Sequence, residues 1–69
     1  MPHIDMTMIP GRDDKAKTEI AAKLQRFLAE ALKIEPKFVS VSIEDIPREN
    51  WEAHMQSLSD KTMYVKPGI

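Results

Sequence analysis

The chain opens Met1-Pro2-His3-Ile4-Asp5, and Pro2 is the residue with the least ordinary chemistry in it. A methionine followed by a small residue such as proline is normally removed by the methionine aminopeptidase. The mature chain is therefore expected to begin at Pro2. Its nitrogen is then a secondary amine, unlike the amide of any internal proline. A secondary amine can take a proton, return it, or form an iminium with a carbonyl compound. A free α-amino group titrates near about 8, so roughly a tenth is unprotonated at pH 7. Burial beside apolar groups and cations disfavours the charged form, and making the neutral base predominate near pH 7 costs roughly 2 kcal/mol. A base of that strength suits general acid–base catalysis near neutral pH.

Other chemistries lack their residues. Cysteine is absent, which excludes a thiol nucleophile, disulfides and thiolate metal sites. His3 and His54 are too few for a zinc site unless carboxylates or another chain help, and no metal is expected. The glycines are Gly11 and Gly68, so no Gly-rich loop cradles a phosphate. No serine stands in a nucleophile-elbow pattern. Glu44 and Asp45 are adjacent on an expected strand and point to opposite faces, which makes them a poor acid/base pair.

The elements that must hold Pro2 are legible in the periodicity. Pro2–Ile9 alternates, with Ile4, Met6 and Met8 on one side and His3, Asp5 and Thr7 on the other. That is a half-buried strand, and Pro2 suits its first position. Pro10-Gly11 ends it. Asp13 or Asp14 can then cap a helix, which the spacing predicts over roughly Asp14–Leu32. Ile20, Leu24, Phe27, Leu28, Ala31 and Leu32 form its apolar stripe, with Lys15, Lys17, Glu19, Lys23, Arg26 and Glu30 mostly opposite. Pro36 and the constraint it places on Glu35 mark the end of this segment. Phe38–Ile46 alternates again and predicts a second strand, stopped by Pro47. Beyond it, Arg48-Glu49-Asn50 reads as a turn, Trp51–Leu58 as two helical turns, and Met63-Tyr64-Val65 as a short edge strand. Strand, long helix, strand is the pattern of a crossover joining parallel strands.

Length bounds the rest. With 69 residues and 7.9 kDa the chain is expected to be one domain, 1–69. A chain this short buries only about 60% of the surface its unfolded form exposes. Without disulfides or a metal, association with copies of itself is the expected support. Two strands under one helix leave sheet edges that invite such pairing. Ten basic and eleven acidic residues are spread without a basic stripe, so nucleic acid is not an expected partner. No apolar run is long enough to span a bilayer, and the opening lacks the pattern of a signal peptide, so no membrane partner and a cytoplasmic location are expected.

In order, these features resemble the small tautomerases of the 4-oxalocrotonate tautomerase family. The resemblance covers about the first fifty residues: Pro2-His3-Ile4 opening a strand, Gly11-Arg12-Asp13-Asp14-Lys15, an amphipathic helix, a second strand, and the aromatic Trp51. It implies an α+β, two-layer β-α-β fold, a parallel strand pair with one long helix, its sheet completed by a second subunit. It also implies cofactor-independent catalysis, with Pro2 as general base and, once protonated, general acid. Arg12 matches the family arginine that binds a substrate carboxylate; capping its loop or pairing with Asp13 and Asp14 is the competing role. Trp51 matches the aromatic that walls the site, and an ordinary buried anchor is the competing role. At position 40 the better-known members carry a carbonyl-polarising arginine, where this chain has Ser40, a weaker and neutral donor. Arg48 is a candidate for the missing charge, from a nearby loop of the same or a neighbouring chain; a surface role is the competing reading. His3 and Asp5 are assigned to strand-edge hydrogen bonds and His54 to an exposed helix position. Pro2-His3-Ile4-Asp5, Trp51 and the ending Lys66-Pro67-Gly68 are similar to a bacterial subgroup whose members form dimers, so a homodimer is favoured over a hexamer.

The function so implied is keto–enol tautomerisation of a small carboxylate-bearing substrate, a 2-hydroxydienoate or an aryl pyruvate enol. Dehalogenation, hydration or decarboxylation of short acrylate-type acids is the second enzyme class, and needs an added acid aimed at water. A degenerate, dimeric binding module is the third reading, which Ser40 favours. All the enzymatic readings need the amine. Mass spectrometry of the protein from its natural host is expected to show a chain lacking Met1; retained Met1 leaves Pro2 an amide with no base to offer.

Overall fold

The computed structural model describes residues 1–68. Strand β1 spans His3–Met8, helix α1 Asp14–Leu32, strand β2 Ser40–Asp45 and helix α2 Arg48–Gln56. Short 3-10 turns occupy Pro36–Phe38 and Asp60–Thr62. β1 and β2 pair in parallel, His3 opposite Ser40 through Met8 opposite Asp45. The expected β-α-β arrangement with its parallel pair is the one observed. The ladder runs slightly past both strands: Ser40 N–H donates to the Pro2 carbonyl at 3.3 Å, and Ile46 N–H to Met8 at 2.8 Å.

Helix α1 starts where its cap dictates. The Asp13 carboxylate accepts from the Ala16 N–H at 2.9 Å, satisfying a donor the first turn leaves open. At the other end Lys33 adopts left-handed geometry with φ 59°, and Ile34 N–H reaches back to the Ala29 carbonyl at 3.0 Å. That closure is normally made by glycine. Glu35 is extended, as the following proline requires, and Pro36 opens a 3-10 turn through Phe38. The second strand therefore begins at Ser40, two residues later than the alternation suggests.

Alternation and register together give the sheet two faces. Val41 and Ile43 line the same recesses as Ala21 and Lys17 of α1, so they face the helix. Ile4 and Met6, opposite them in the ladder, share that face. His3, Asp5 and Thr7 with Ser40, Ser42 and Glu44 form the other face. The helix lies mainly over β2. Asp14, Ala21 and Gln25 line the recesses beside β2, and Ala29 is buried.

The expected stripe is wider than this contact. At about 100° per residue, the row Ile20, Leu24, Phe27 and Ala31 lies roughly a quarter turn from the row Asp14, Ala21, Gln25 and Leu28. Phe27 is accordingly 73% exposed, and Leu32, the last residue of α1, is 51% exposed. Lys17, expected on the polar side, instead turns to the sheet and meets Asp45 at 2.7 Å. Gln25 does what no apolar residue could: its amide donates to the carbonyls of Pro36 at 2.8 Å and Val39 at 3.1 Å.

The hydrophobic core is thin. Ala29 and Val39 are the buried apolar residues among those described. The chain exposes 5844 Å², where a monomeric protein of this mass exposes roughly 4,400 Å². Its radius of gyration is 13.5 Å, against roughly 11 Å for a compact chain of this length.

After β2 two expectations change. Arg48-Glu49-Asn50 is the first turn of α2, not a separate turn, because Pro47 supplies an extended residue ahead of it and Asn50 N–H closes on the Pro47 carbonyl at 2.8 Å. Met63–Val65 forms no strand. Ser59 caps the turn Asp60–Thr62, and the chain beyond has no ladder partner among the described residues, leaving Tyr64 92% exposed. Replacing Gln25 with alanine removes both ties between α1 and the approach to β2. Gln25→Ala is expected to lower stability by about 1–3 kcal/mol in urea unfolding, with helix propensity if anything improved.

Candidate functional site

Pro2 enters the sheet one residue ahead of β1, half-buried, with Met1 exposed beyond it. Its carbonyl is held by Ser40, so the position of Pro2 is coupled to the start of β2. At this end of the sheet the nearest side chains in the ladder are polar. His3 Nδ1 lies 2.6 Å from Ser40 Oγ, and His3 Nε2 lies 2.9 Å from Ser42 Oγ. The Ser42 hydroxyl donates to Asp5 Oδ1 at 2.8 Å. His3 and Asp5 were expected at a strand edge; instead they bridge the two strands, because the parallel register sets them beside the two serines.

The other candidates stand elsewhere. Arg12 lies in the exposed loop between β1 and α1, after Gly11 at φ 147°, a backbone region that side chains disfavour. It forms no ion pair among the described residues, and Asp13 is engaged in capping. The competing role of pairing with Asp13 or Asp14 is thus not taken up. Arg48, expected on a loop, is the exposed first residue of α2. Trp51 is half-buried one turn further on, its ring 5.9 Å from that of His54 and tilted by 41°. Trp51, Glu52, Met55 and Pro67 line an open recess of about 640 Å³.

His54 is not the exposed residue the pattern suggests. It is half-buried, and its Nε2 lies 3.2 Å from Thr7 Oγ1, which docks α2 on the sheet face opposite α1. The signal that could have found this contact is the spacing of Trp51 and His54, three apart and hence on one side of a helix.

The candidates therefore fall into two groups. Pro2, His3 and Ser40 mark the start of β1. Arg12, Arg48 and, through His54 and Thr7, Trp51 belong toward its end. Pro2 and Met8 are six residues apart on an extended strand, roughly 20 Å. One chain therefore sets Pro2 and the loop carrying Arg12 at opposite ends of β1. Among the described residues, no three of His, Asp and Glu are grouped so as to hold a metal ion, and no helix is long and apolar enough to cross a membrane.

The chain is a two-layer β-α-β unit with a proline leading its first strand, an arginine in the following loop and an aromatic on the helix after β2. Residues 2–61 match the model of the Tautomerase family, described as tautomerase enzyme, and the chain belongs to that family. Over 51 residues it is 35% identical to a probable tautomerase of Xylella fastidiosa (strain 9a5c), a stretch covering 74% of this chain and 62% of that protein. It is 37% identical over 51 residues to a 2-hydroxymuconate tautomerase of Comamonas testosteroni, covering 74% of this chain and 81% of that one. The chain thus spans less than two thirds of the length of the first relative and more of the second.

Proposed function

We propose that this protein is a cofactor-independent keto–enol tautomerase whose base is the amino-terminal nitrogen of Pro2. Family membership over residues 2–61, which includes Pro2, is the observation that carries the reading. The substrate class is a small 2-hydroxydienoate or the enol of an aryl pyruvate. The relative named for 2-hydroxymuconate supports the first of these. Pro2 transfers a proton at a carbon conjugated with the carbonyl, delivering it as the ammonium in ketonisation and removing it as the amine in enolisation. The carboxylate of the substrate pairs with Arg12, and Trp51 excludes water, which keeps the amine neutral and strengthens every charge interaction in the site. An isomerase fits better than a hydratase here. The carboxylate nearest to Pro2 along β1 is Asp5, and Ser42 already occupies one of its oxygens.

The working unit on this reading is a homodimer. β1 has β2 on one side only, and an antiparallel β1–β1 pairing of two copies lays the start of each strand beside the end of the other. Each Pro2 then meets Arg12 and Trp51 of the second copy, which removes the separation of roughly 20 Å within one chain. The apolar row Ile20, Leu24 and Phe27 and the excess surface are what such an association has available to bury.

Two measurements test this. In processed protein, Pro2→Ala is expected to lower kcat/KM for enol ketonisation roughly 10- to 100-fold, a partial loss because alanine leaves a primary amine. Equal rates remove Pro2 from the mechanism. Separately, Pro2→Ala and Arg12→Ala chains, each weakly active alone, are unfolded and refolded together. If sites are shared across a two-fold axis, random mixing restores about a quarter of the wild-type sites. No recovery means that each chain supplies its own arginine or none.

A further inference from the structure

The sheet face turned away from α1 carries a continuous hydrogen-bonded chain that this mechanism leaves unused. It runs from Asp5 through Ser42 and His3 to Ser40, and it ends at the residue whose N–H holds the Pro2 carbonyl. Its proton order follows from counting. A hydroxyl has one proton. Ser42 donates its own to Asp5, so it accepts from His3, and His3 carries a proton on Nε2. In the neutral ring Nδ1 is then bare, and Ser40 donates to it across 2.6 Å. Both lone pairs of Ser40 Oγ are then free to accept from a third group. Neither strand contains a lysine or arginine. The charged and titratable groups sharing the face are Asp5 and Glu44, with His54 reaching in from α2 to Thr7.

We infer that Ser40 and His3 form a proton relay for the oxygen of the substrate, with Ser40 touching that oxygen and His3 positioning and charging Ser40. The inference deepens the tautomerase reading and rests on it. In ketonisation the enol hydroxyl donates to Ser40 Oγ. The Pro2 ammonium delivers its proton to carbon, so an N–H bond breaks and a C–H bond forms. The enol O–H bond breaks toward Oγ, its electron pair becomes the carbonyl π bond, and the original Ser40 proton passes to His3 Nδ1. His3 is left as an imidazolium, held at Nε2 by Ser42, with the Asp5 carboxylate beyond. His3 then loses a proton to water and Pro2 takes one up, so none is gained or lost overall. Enolisation runs the same steps in reverse. A neutral hydroxyl thereby acquires from the ring behind it the charge that a guanidinium would have carried itself.

The test is a double-mutant cycle in processed, full-length protein: Ser40→Ala, His3→Asn and both together, with kcat, KM and thermal midpoint measured for each. Each single change is expected to lower kcat about tenfold or more with KM little altered, and the double variant to be no slower than Ser40→Ala. Losses that multiply, a loss that tracks the thermal midpoint, or Ser40→Ala with wild-type kcat overturns the relay. A second measurement does not depend on turnover. The His3 ring nitrogens are followed by 15N NMR while pyruvate, a 2-oxo acid, is added. Nδ1 is expected to respond in wild type and in Pro2→Ala but not in Ser40→Ala; no response in wild type, or one that survives Ser40→Ala, overturns it. If Pro2→Ala keeps the wild-type rate while the Nδ1 response requires Ser40, the proline mechanism fails and the coupling of Ser40 to His3 stands.

Discussion

The parallel ladder between β1 and β2 is the constraint from which the remaining arrangement follows. Its register sets His3 opposite Ser40 and Asp5 opposite Ser42, and so decides which side chains can meet across the pair. Because side chains alternate along a strand, the same register gathers Val41, Ile43, Ile4 and Met6 under the helix and leaves the hydrophilic set on the far face. A shift by one residue would exchange the two faces, burying His3 and Asp5 under α1 and exposing the aliphatic residues. The ladder also fixes distance. An extended strand has one length per residue, so Pro2 at its start and the loop carrying Arg12 beyond its end stand far apart whatever the side chains do.

The helix that covers this ladder does so economically and incompletely. Ala21, Ala22 and Ala29 are small, which suits a helix lying close over one strand. The contact is finished by polar groups at both ends. Lys17 and Asp45 join the start of α1 to the end of β2, and Gln25 joins the middle of α1 to the carbonyls that precede Ser40. The ion pair is partly solvated and is worth no more than about 1 kcal/mol. The Gln25 bonds add to the turn's own backbone bonds at Pro36 and Val39, and they tie α1 to the strand on which Ser40 sits. The stability of the fold and the placement of a candidate site residue therefore share one side chain. Little large apolar surface is buried in the process, which is why so much of the apolar arc of α1 stays in solvent in the single chain.

Seen chemically, the two ends of β1 have different characters. The Pro2 end carries hydroxyls and an imidazole linked by hydrogen bonds to a carboxylate. The opposite end carries cations and an aromatic ring, with Arg12 in the loop after β1 and Arg48, Trp51 and His54 on α2. An amine that works as a base near neutral pH needs both, since burial and positive charge destabilise its protonated form while nearby hydroxyls can share protons with the substrate. Within one chain these two sets of groups stand at opposite ends of β1.

Much of this was legible in the residues before any coordinates. Periods of two and of 3.6, punctuated by Pro10-Gly11, Pro36 and Pro47, were enough for the strand-helix-strand order and for the bounds of α1, because these signals are local. The ordered set of the Pro2-His3-Ile4 start, the run Gly11–Lys15, the amphipathic helix, the second strand and Trp51 was enough for the family. What periodicity could not decide was rotation and depth. It placed Phe27 in the packing stripe and Lys17 outside it, since a stripe shows which residues are apolar and not which part of the arc the sheet will meet. It assigned His54 to solvent and Met63–Val65 to a strand, because the docking of α2 on Thr7 and the lack of a ladder partner are contacts between distant segments. The pairing of His3 with Ser40 and Ser42 spans 37 and 39 residues of chain. The residue types were determined by the sequence alone; their juxtaposition was decided by tertiary structure, because only the crossover through α1 sets which residue of β2 stands beside which residue of β1.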